Sequence, residues 1–78
     1  MESVTHHVEA DWDTKAGVWV ATSDDVPGLA TEAETNETLT ERLRTMIPEL
    51  LEANGLLQSG NLAFELTTHR QERLTLAP

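Results

Sequence analysis

The sequence predicts a small α+β domain with the element order β-β-β-α-β. Apolar and polar residues alternate at 4–12 and 62–67, and residues 17–22 are rich in β-branched and aromatic side chains, which are the patterns of strands. Between them, apolar residues recur at helical spacing and predict one long amphipathic helix. The 78 residues suffice for one domain, since single domains typically span about 50–200 residues. We expect residues 1–78 to form that domain, with an ordered core at about 4–69 and a tail at 70–78.

A turn segment, 13–17, joins the first two strands into a predicted hairpin. If this loop closes without a bulge, Trp12 lies opposite Val18, and Trp19 lies beside Asp11 on the less apolar face. A single bulge would exchange the two tryptophans between the faces, because side-chain direction alternates with a period of two. The register without a bulge makes Trp12 the core tryptophan and Trp19 the exposed one.

A proline-glycine turn, Val26–Leu29, precedes the third strand. Proline presets φ at the second position of a type II turn, and glycine adopts the positive φ that the third position requires. A short strand at 29–33 follows. It carries Glu32 and is followed by Glu34, and charges of this kind protect a sheet edge from unwanted pairing.

The predicted helix begins at Asn36 with Thr35 as its N-cap, and it ends in a left-handed cap at Asn54-Gly55. Pro48 lies inside it and removes one backbone hydrogen bond. The apolar residues keep their helical phase on both sides of Pro48, so we expect one kinked helix rather than two helices. These residues are Leu39, Leu43, Met46, Ile47, Leu50 and Leu51.

The last strand, at 62–67, follows a glycine-containing loop at 58–61. Three strands that run up, down and up, followed by a right-handed crossover through the helix, place this fourth strand parallel to the first. The fold is thus an antiparallel three-stranded meander with a helix on one face and a parallel fourth strand. Residues 69–78 are polar, alternate weakly at Leu74 and Leu76, and either fray or add a short edge strand.

The chain is strongly acidic, with fourteen Asp and Glu residues, five Lys and Arg residues and a formal net charge of −9. Residues 1–34 hold eight acids and one lysine, a net charge of −7, and residues 35–78 hold six acids and four arginines, a net charge of −2. This balance disfavours direct binding to nucleic acid and to anionic lipid. The like charges crowded into residues 1–34 repel one another, and a basic partner would relieve this repulsion. The alternatives are an acidic surface that only keeps the protein in solution, or adaptation to high salt.

Composition also excludes some classes of site. The absence of cysteine excludes disulfides, thiolate metal sites and cysteine nucleophiles. The longest run without a polar residue, 16–21, is far shorter than the ~20 residues of a membrane span. No signal-peptide pattern is present, so we expect a cytoplasmic protein with no membrane association.

Candidate catalytic side chains do not converge in the predicted fold. His7, Glu9 and Asp11 share one face of the first strand, but no second strand supplies the converging carboxylates that a metal nuclease needs. His6 and His7 point to opposite faces, which disfavours a zinc site. No nucleophile elbow and no glycine-rich phosphate loop is present. We therefore expect no enzyme activity, no metal and no cofactor.

Binding is the function that remains. The candidate partner-binding surface combines an exposed aromatic anchor with surrounding carboxylates, a combination that suits a basic protein partner. Its residues are Asp11, Trp19, Asp24, Asp25, Glu32 and Glu34. The alternative is that Trp19 packs beneath a neighbouring element and that the acids are only solvated.

Several segments of the sequence form a recognisable set. They are Gly17-Val18-Trp19-Val20-Ala21, then Asp25-Val26-Pro27-Gly28-Leu29, then Thr31 and Thr35, and then the helix at 39–54. Together these segments resemble the HicB-like antitoxin superfamily. The Met-Ile-Pro-Glu-Leu-Leu segment, Met46–Leu51, is similar to a short HicB-related group of bacterial domains of unknown function. The resemblance extends over roughly residues 5–70.

This resemblance implies a β-β-β-α-β domain of a partial ribonuclease-H type that binds and neutralises a small basic toxin, which cuts messenger RNA. Complete HicB antitoxins usually continue into a DNA-binding segment, for which this chain has no room after Pro78, so we expect no direct DNA binding. The alternative function is a stand-alone structural domain without a toxin partner. Such a domain would form a homo-oligomer, most simply a dimer.

Overall fold

The predicted order of elements is confirmed in a computed structural model, which describes residues 4–57 and 61–77. The strands are β1 (Val4–Asp13), β2 (Val18–Thr22), β3 (Ala30–Ala33) and β4 (Leu62–His69), and the helix is α1 (Asn36–Ala53). The sheet has the strand order β3-β2-β1-β4. β2 pairs antiparallel with both β1 and β3, whereas β4 pairs parallel with β1. The α+β class and the parallel fourth strand are therefore as predicted, while the loop residues 58–60 lie outside the described residues.

The proline-glycine turn forms as predicted but shortens the third strand by one residue. The Leu29 N–H donates to the Val26 carbonyl at 3.1 Å, and Gly28 adopts a φ of +83°. Leu29 therefore still belongs to the turn, and β3 starts at Ala30 instead of Leu29. At the other end of the chain, β4 continues two residues beyond the predicted end at Thr67.

The predicted register of the first hairpin is wrong by one residue. Trp12 pairs with Trp19, not with Val18. The reason lies in Asp13, which pairs with Val18 and whose Oδ1 accepts the N–H groups of loop residues 15 and 16 at 3.0 and 3.1 Å. The Gly17 N–H also donates to the Asp13 carbonyl at 2.7 Å, with a φ of +70° at Gly17. Asp13 thus belongs to the ladder, and both tryptophans lie on one face of the sheet.

The helix α1 is one continuous element that includes Pro48, as predicted. The Thr35 hydroxyl accepts the Thr38 N–H at 3.1 Å and caps its start. Its end is a Schellman motif, in which the Leu56 N–H donates to the Leu51 carbonyl at 2.7 Å and Gly55 has a φ of +69°. α1 does not combine the length and the apolarity that a bilayer-spanning helix needs.

The core lies between α1 and one face of the sheet, which we call the helix side. The helix packs chiefly against β3 and β2. The buried apolar residues are Val8, Ala10, Ala21, Val26, Leu29, Ala33, Leu39, Leu43, Ile47 and Leu51. On the helix side of β4, by contrast, Phe64 and Leu66 are only half-buried and Leu62 is 36% exposed. The helix therefore covers one half of the sheet better than the other.

The C-terminal segment, residues 70–77, follows β4 without regular secondary structure and is exposed. Leu74 is 81% exposed and Leu76 is 84% exposed. Near its start, the Arg70 guanidinium carbon lies 4.3 Å from the centroid of the Trp12 ring. The segment therefore adds no edge strand to its own sheet.

Candidate functional site: the open face of the sheet

The sheet has a second face that α1 does not cover, which we call the open face. Side chains alternate between the two faces, so the residues next to the buried Val8, Ala10 and Ala21 point away from the helix. Strand pairing brings open-face residues of different strands together, since paired residues share a face. The members that matter here are Glu9, Asp11, Asp13, Val18, Val20, Glu32 and Glu65, together with His7 and His69.

One row of this face crosses all four strands. Asp11 of β1 pairs with Val20 of β2 and with His69 of β4, and Val20 pairs in turn with Glu32 of β3. The next pair towards the hairpin loop joins Asp13 and Val18. Val18 and Val20 are half-buried, and the neighbouring carboxylates are exposed. The open face therefore has a small apolar centre with an acidic surround.

The charged side chains at the strand positions of the open face are mostly acidic. Among the described strand positions, its carboxylates are Glu9, Asp11, Asp13, Glu32 and Glu65, and no lysine or arginine shares the face with them. The imidazoles of His7 and His69, paired with Glu65 and Asp11, are the basic groups at these positions. Such a surface attracts cationic groups over a distance of about 8–10 Å at physiological salt.

The structure divides the predicted partner-binding residues into three groups. Asp11 and Glu32 lie in the row that crosses the open face, and Glu34 follows directly after β3. Asp24 and Asp25 lie in the loop after β2, at the end of the sheet where His7 and Glu9 also lie. Trp19 lies on the opposite side of the sheet from Asp11 and forms a third group by itself.

The prediction that Trp19 is the exposed aromatic anchor is wrong. Its side chain is half-buried, packs against the core on the helix side, and meets Trp12 edge-to-face with ring centroids 5.2 Å apart and an interplanar angle of 61°. The cause is the hairpin register, which turns residues 18 and 20 outward in its place. The apolar centre of the open face is therefore a pair of valines. The alternation along β2 indicates that Val18 and Val20 lie on the face opposite to Trp19. Which of these two faces meets the helix depends on the length of the hairpin loop.

Comparison with known proteins finds a family and a solved structure to which this chain is similar. A model of a domain of unknown function, DUF1902, matches residues 5–77. The chain belongs to the DUF1902 family. A crystal structure of hypothetical protein TTHA1013 from the extremely thermophilic bacterium Thermus thermophilus is 52% identical in sequence, with a TM-score of 0.71. The match covers 94% of this chain and 100% of that chain. No curated protein matches the sequence.

In this DUF1902 domain, the loop after β2 is tied to the first strand by side chains. One Asp25 oxygen accepts both the His7 backbone N–H at 2.7 Å and the His7 Nδ1–H at 3.0 Å. The Ser23 hydroxyl donates to the His7 carbonyl and accepts the N–H groups of Asp25 and Val26. These bonds replace the ladder beyond Thr22, the last β2 residue paired with β1. The bond from the His7 backbone N–H, followed by that from its ring, lowers the pKa of Asp25.

The open face of the DUF1902 domain offers charge but not a metal cage. In residues 4–57 and 61–77, no three His, Asp or Glu side chains converge closely enough to hold a metal ion. Glu9, Asp11 and Asp13 follow one another along a strand, about 6–7 Å apart. What the arrangement can do chemically is attract cationic side chains of another macromolecule.

Proposed function

We propose that this chain is a non-catalytic protein-binding module, whose open face binds and neutralises a small basic protein of the RNA-cleaving toxin type. The observation that carries the proposal is the row formed by Asp11, Val20 and Glu32, in which an apolar side chain lies between two exposed carboxylates. A protein interface needs an apolar centre that can be desolvated and a polar surround that steers the partner. The open face supplies both.

The charge of the chain supports the same function. A formal net charge of −9 favours rapid association with a cationic partner and disfavours nucleic acid, on which a toxin of this kind acts. An acidic module that covers the basic surface of such a toxin would compete with RNA for the same positive charges. The resemblance to HicB-like antitoxins, carried by Pro27-Gly28 and Met46–Leu51, supports this type of partner.

Binding should be tested with the product of a small basic reading frame adjacent to the gene of this chain. Isothermal titration calorimetry at moderate salt should give a dissociation constant at or below about 1 μM, and the affinity should fall as salt rises. An equimolar amount of this chain should also suppress RNA cleavage by that protein. No binding at tens of micromolar would reject the proposal.

Two matched charge reversals test whether the open face is the surface that binds. Asp11→Lys reverses a carboxylate directly beside the apolar centre of the open face, and Glu41→Lys makes the same change at an exposed position on α1. We expect Asp11→Lys to weaken binding about 10-fold or more and Glu41→Lys to weaken it much less, because interface energy is concentrated near the centre. Equal effects would mean that net charge alone drives the association. A larger effect of Glu41→Lys would place the interface on the helix.

A further inference from the structure

The outer edge of β4 is a long strand edge with no pairing partner in the described parts of the chain. β4 pairs with β1 on one side and is the last strand of the sheet. Its eight residues include one acid, Glu65, and no proline. A long edge with few charges and no proline readily pairs with a further strand. On the helix side this edge also exposes apolar surface at Leu62 and Phe64.

The C-terminal segment has the features of such a strand. Its alternation continues that of β4. Leu74 and Leu76 are at even-numbered positions and therefore have the same parity as Phe64 and Leu66, which face the helix side. Arg70, which also has this parity, stacks over the helix-side Trp12 and binds Glu72 two residues on, with Nε and Oε1 2.8 Å apart. Leu74 and Leu76 are both more than 80% exposed on one short segment. Exposed apolar residues that cluster in this way indicate a surface for contact with another molecule.

We propose that two copies of this chain exchange their C-terminal segments, each adding residues 69–76 as an antiparallel strand to the free edge of the other copy's β4. The segment and β4 are each eight residues long. In each strand the backbone N–H and C=O groups of every second residue point to the partner strand. Residues that pair must therefore both be odd-numbered or both be even-numbered. The two-fold axis then passes through a pair of equivalent residues.

Charge selects one register among those that parity allows. With His69 on the axis, Arg73 lies opposite Glu65 of the second copy, and Leu74 and Leu76 lie opposite its Phe64 and Leu62. A shift of two residues in either direction places Arg73 opposite Thr67 or Ala63 instead. The His69 register therefore pairs opposite charges on the open face and covers the exposed apolar residues on the helix side.

The dimer would have one continuous eight-stranded sheet, whose two central strands each consist of β4 and the C-terminal segment of one copy. Both α1 helices would lie on one side of this sheet and both open faces on the other. The local charge favours it, since residues 69–76 contain two arginines and one acid in a chain that is otherwise strongly acidic. This inference does not rest on the proposed function. If both hold, the dimer presents two acidic faces on the same side to a basic partner.

Sedimentation velocity of the full chain at about 1–100 μM tests the exchange. We expect a dimer of the 8.6 kDa chain, and a monomer for a chain that ends at Arg70 and for Leu74→Asp/Leu76→Asp. These changes leave the core intact, because both leucines are exposed, and circular dichroism should show an unchanged fold. A monomeric full chain at about 100 μM, or a dimer that survives the truncation, would overturn the proposal.

A charge swap tests the register. Arg73→Glu and Glu65→Arg should each raise the dimer dissociation constant by about 2- to 30-fold, because each change removes two symmetric ion pairs. The double variant should recover most of the affinity. Arg44→Glu, the same charge change on the exposed side of α1, is the control and should have little effect. A double variant that dimerises no better than the single variants would overturn the His69 register.

Discussion

The two edges of the sheet differ in how they are protected. β3 is four residues long, and α1, which begins three positions after it, packs back over it. β4 is twice as long and is reached only after the helix has ended. A helix that starts directly after a strand covers that strand first, so the opposite edge keeps exposed apolar surface. The β4 edge is therefore more open to pairing with a further strand than the β3 edge.

The largest expected effect comes from the covered half of the sheet. Leu43 is fully buried between α1 and the sheet, so Leu43→Ala should lower the free energy of unfolding by about 2–5 kcal/mol. Leu62→Ala on β4 should cost only about 1 kcal/mol in a dilute sample, because a third of that side chain is already exposed. Urea unfolding of both variants measures the difference. Equal losses would mean that the two halves are equally well packed.

A matched pair of substitutions, one on each edge strand, tests which edge mediates self-association. Thr31 of β3 and Thr68 of β4 lie in one row of the sheet, through Ala21 and Ala10. Thr68→Lys places a cation opposite Arg70 in the proposed dimer and should weaken self-association about 10-fold. Thr31→Lys should leave self-association unchanged, since β3 is only four residues long, carries Glu32 and packs against α1. Sedimentation velocity tests both, and a reversed order would assign the pairing edge to β3.

The junction between β3 and α1 gives a smaller effect. The Thr35 hydroxyl caps the helix by accepting the Thr38 N–H. Thr35→Ala should therefore lower the free energy of unfolding by about 1 kcal/mol, whereas Thr35→Ser should keep most of the stability because it retains the acceptor. Thermal unfolding of both variants checks this. A loss as large with serine as with alanine would mean that the methyl group, not the cap, matters here.

The smallest effect concerns the loop that holds the start of β1. The pKa of Asp25 is lowered in the folded chain, chiefly by the His7 backbone N–H, so its carboxylate stabilises the fold above the unfolded-state pKa of about 4. That contribution is lost as the pH falls below about 4 and through the lowered pKa. Asp25→Asn should therefore be less stable than the parent at pH 7, with the difference shrinking in acid. Asp24→Asn is the control. An equal pH dependence for that variant would mean that the effect does not arise from the contacts between Asp25 and His7.

Much of the fold could be predicted because its signals are local. The caps at Thr35 and Gly55 and the proline-glycine turn each depend on a few adjacent residues, and all three form as expected. The parallel fourth strand followed from the handedness of the crossover. The helix survived Pro48 because its buried residues stay in phase on both sides of it.

The candidate site was predicted less completely, and one residue explains why. Asp13 belongs both to the loop, through its carboxylate, and to the ladder, through its pairing with Val18. Sequence composition shows only the first role. If Asp13 belongs to the loop, β2 is shifted by one position and Trp19 lies on the open face. Because Asp13 belongs to the ladder, Val18 and Val20 lie there instead. The carboxylates of β1 were unaffected, since their face is set within their own strand.

The amino-acid sequence by itself determined the order of the elements, the two ends of the helix, the acidic character of the chain and which residues of each strand share a side. These properties depend on neighbours within a few positions and on the periods of helix and strand. Tertiary structure alone decided how β2 is aligned with β1, which edge α1 covers, and therefore which carboxylates surround an apolar centre. The physical reason is that alignment and coverage depend on contacts between segments distant in the chain, and a one-residue shift reverses every side chain of a strand.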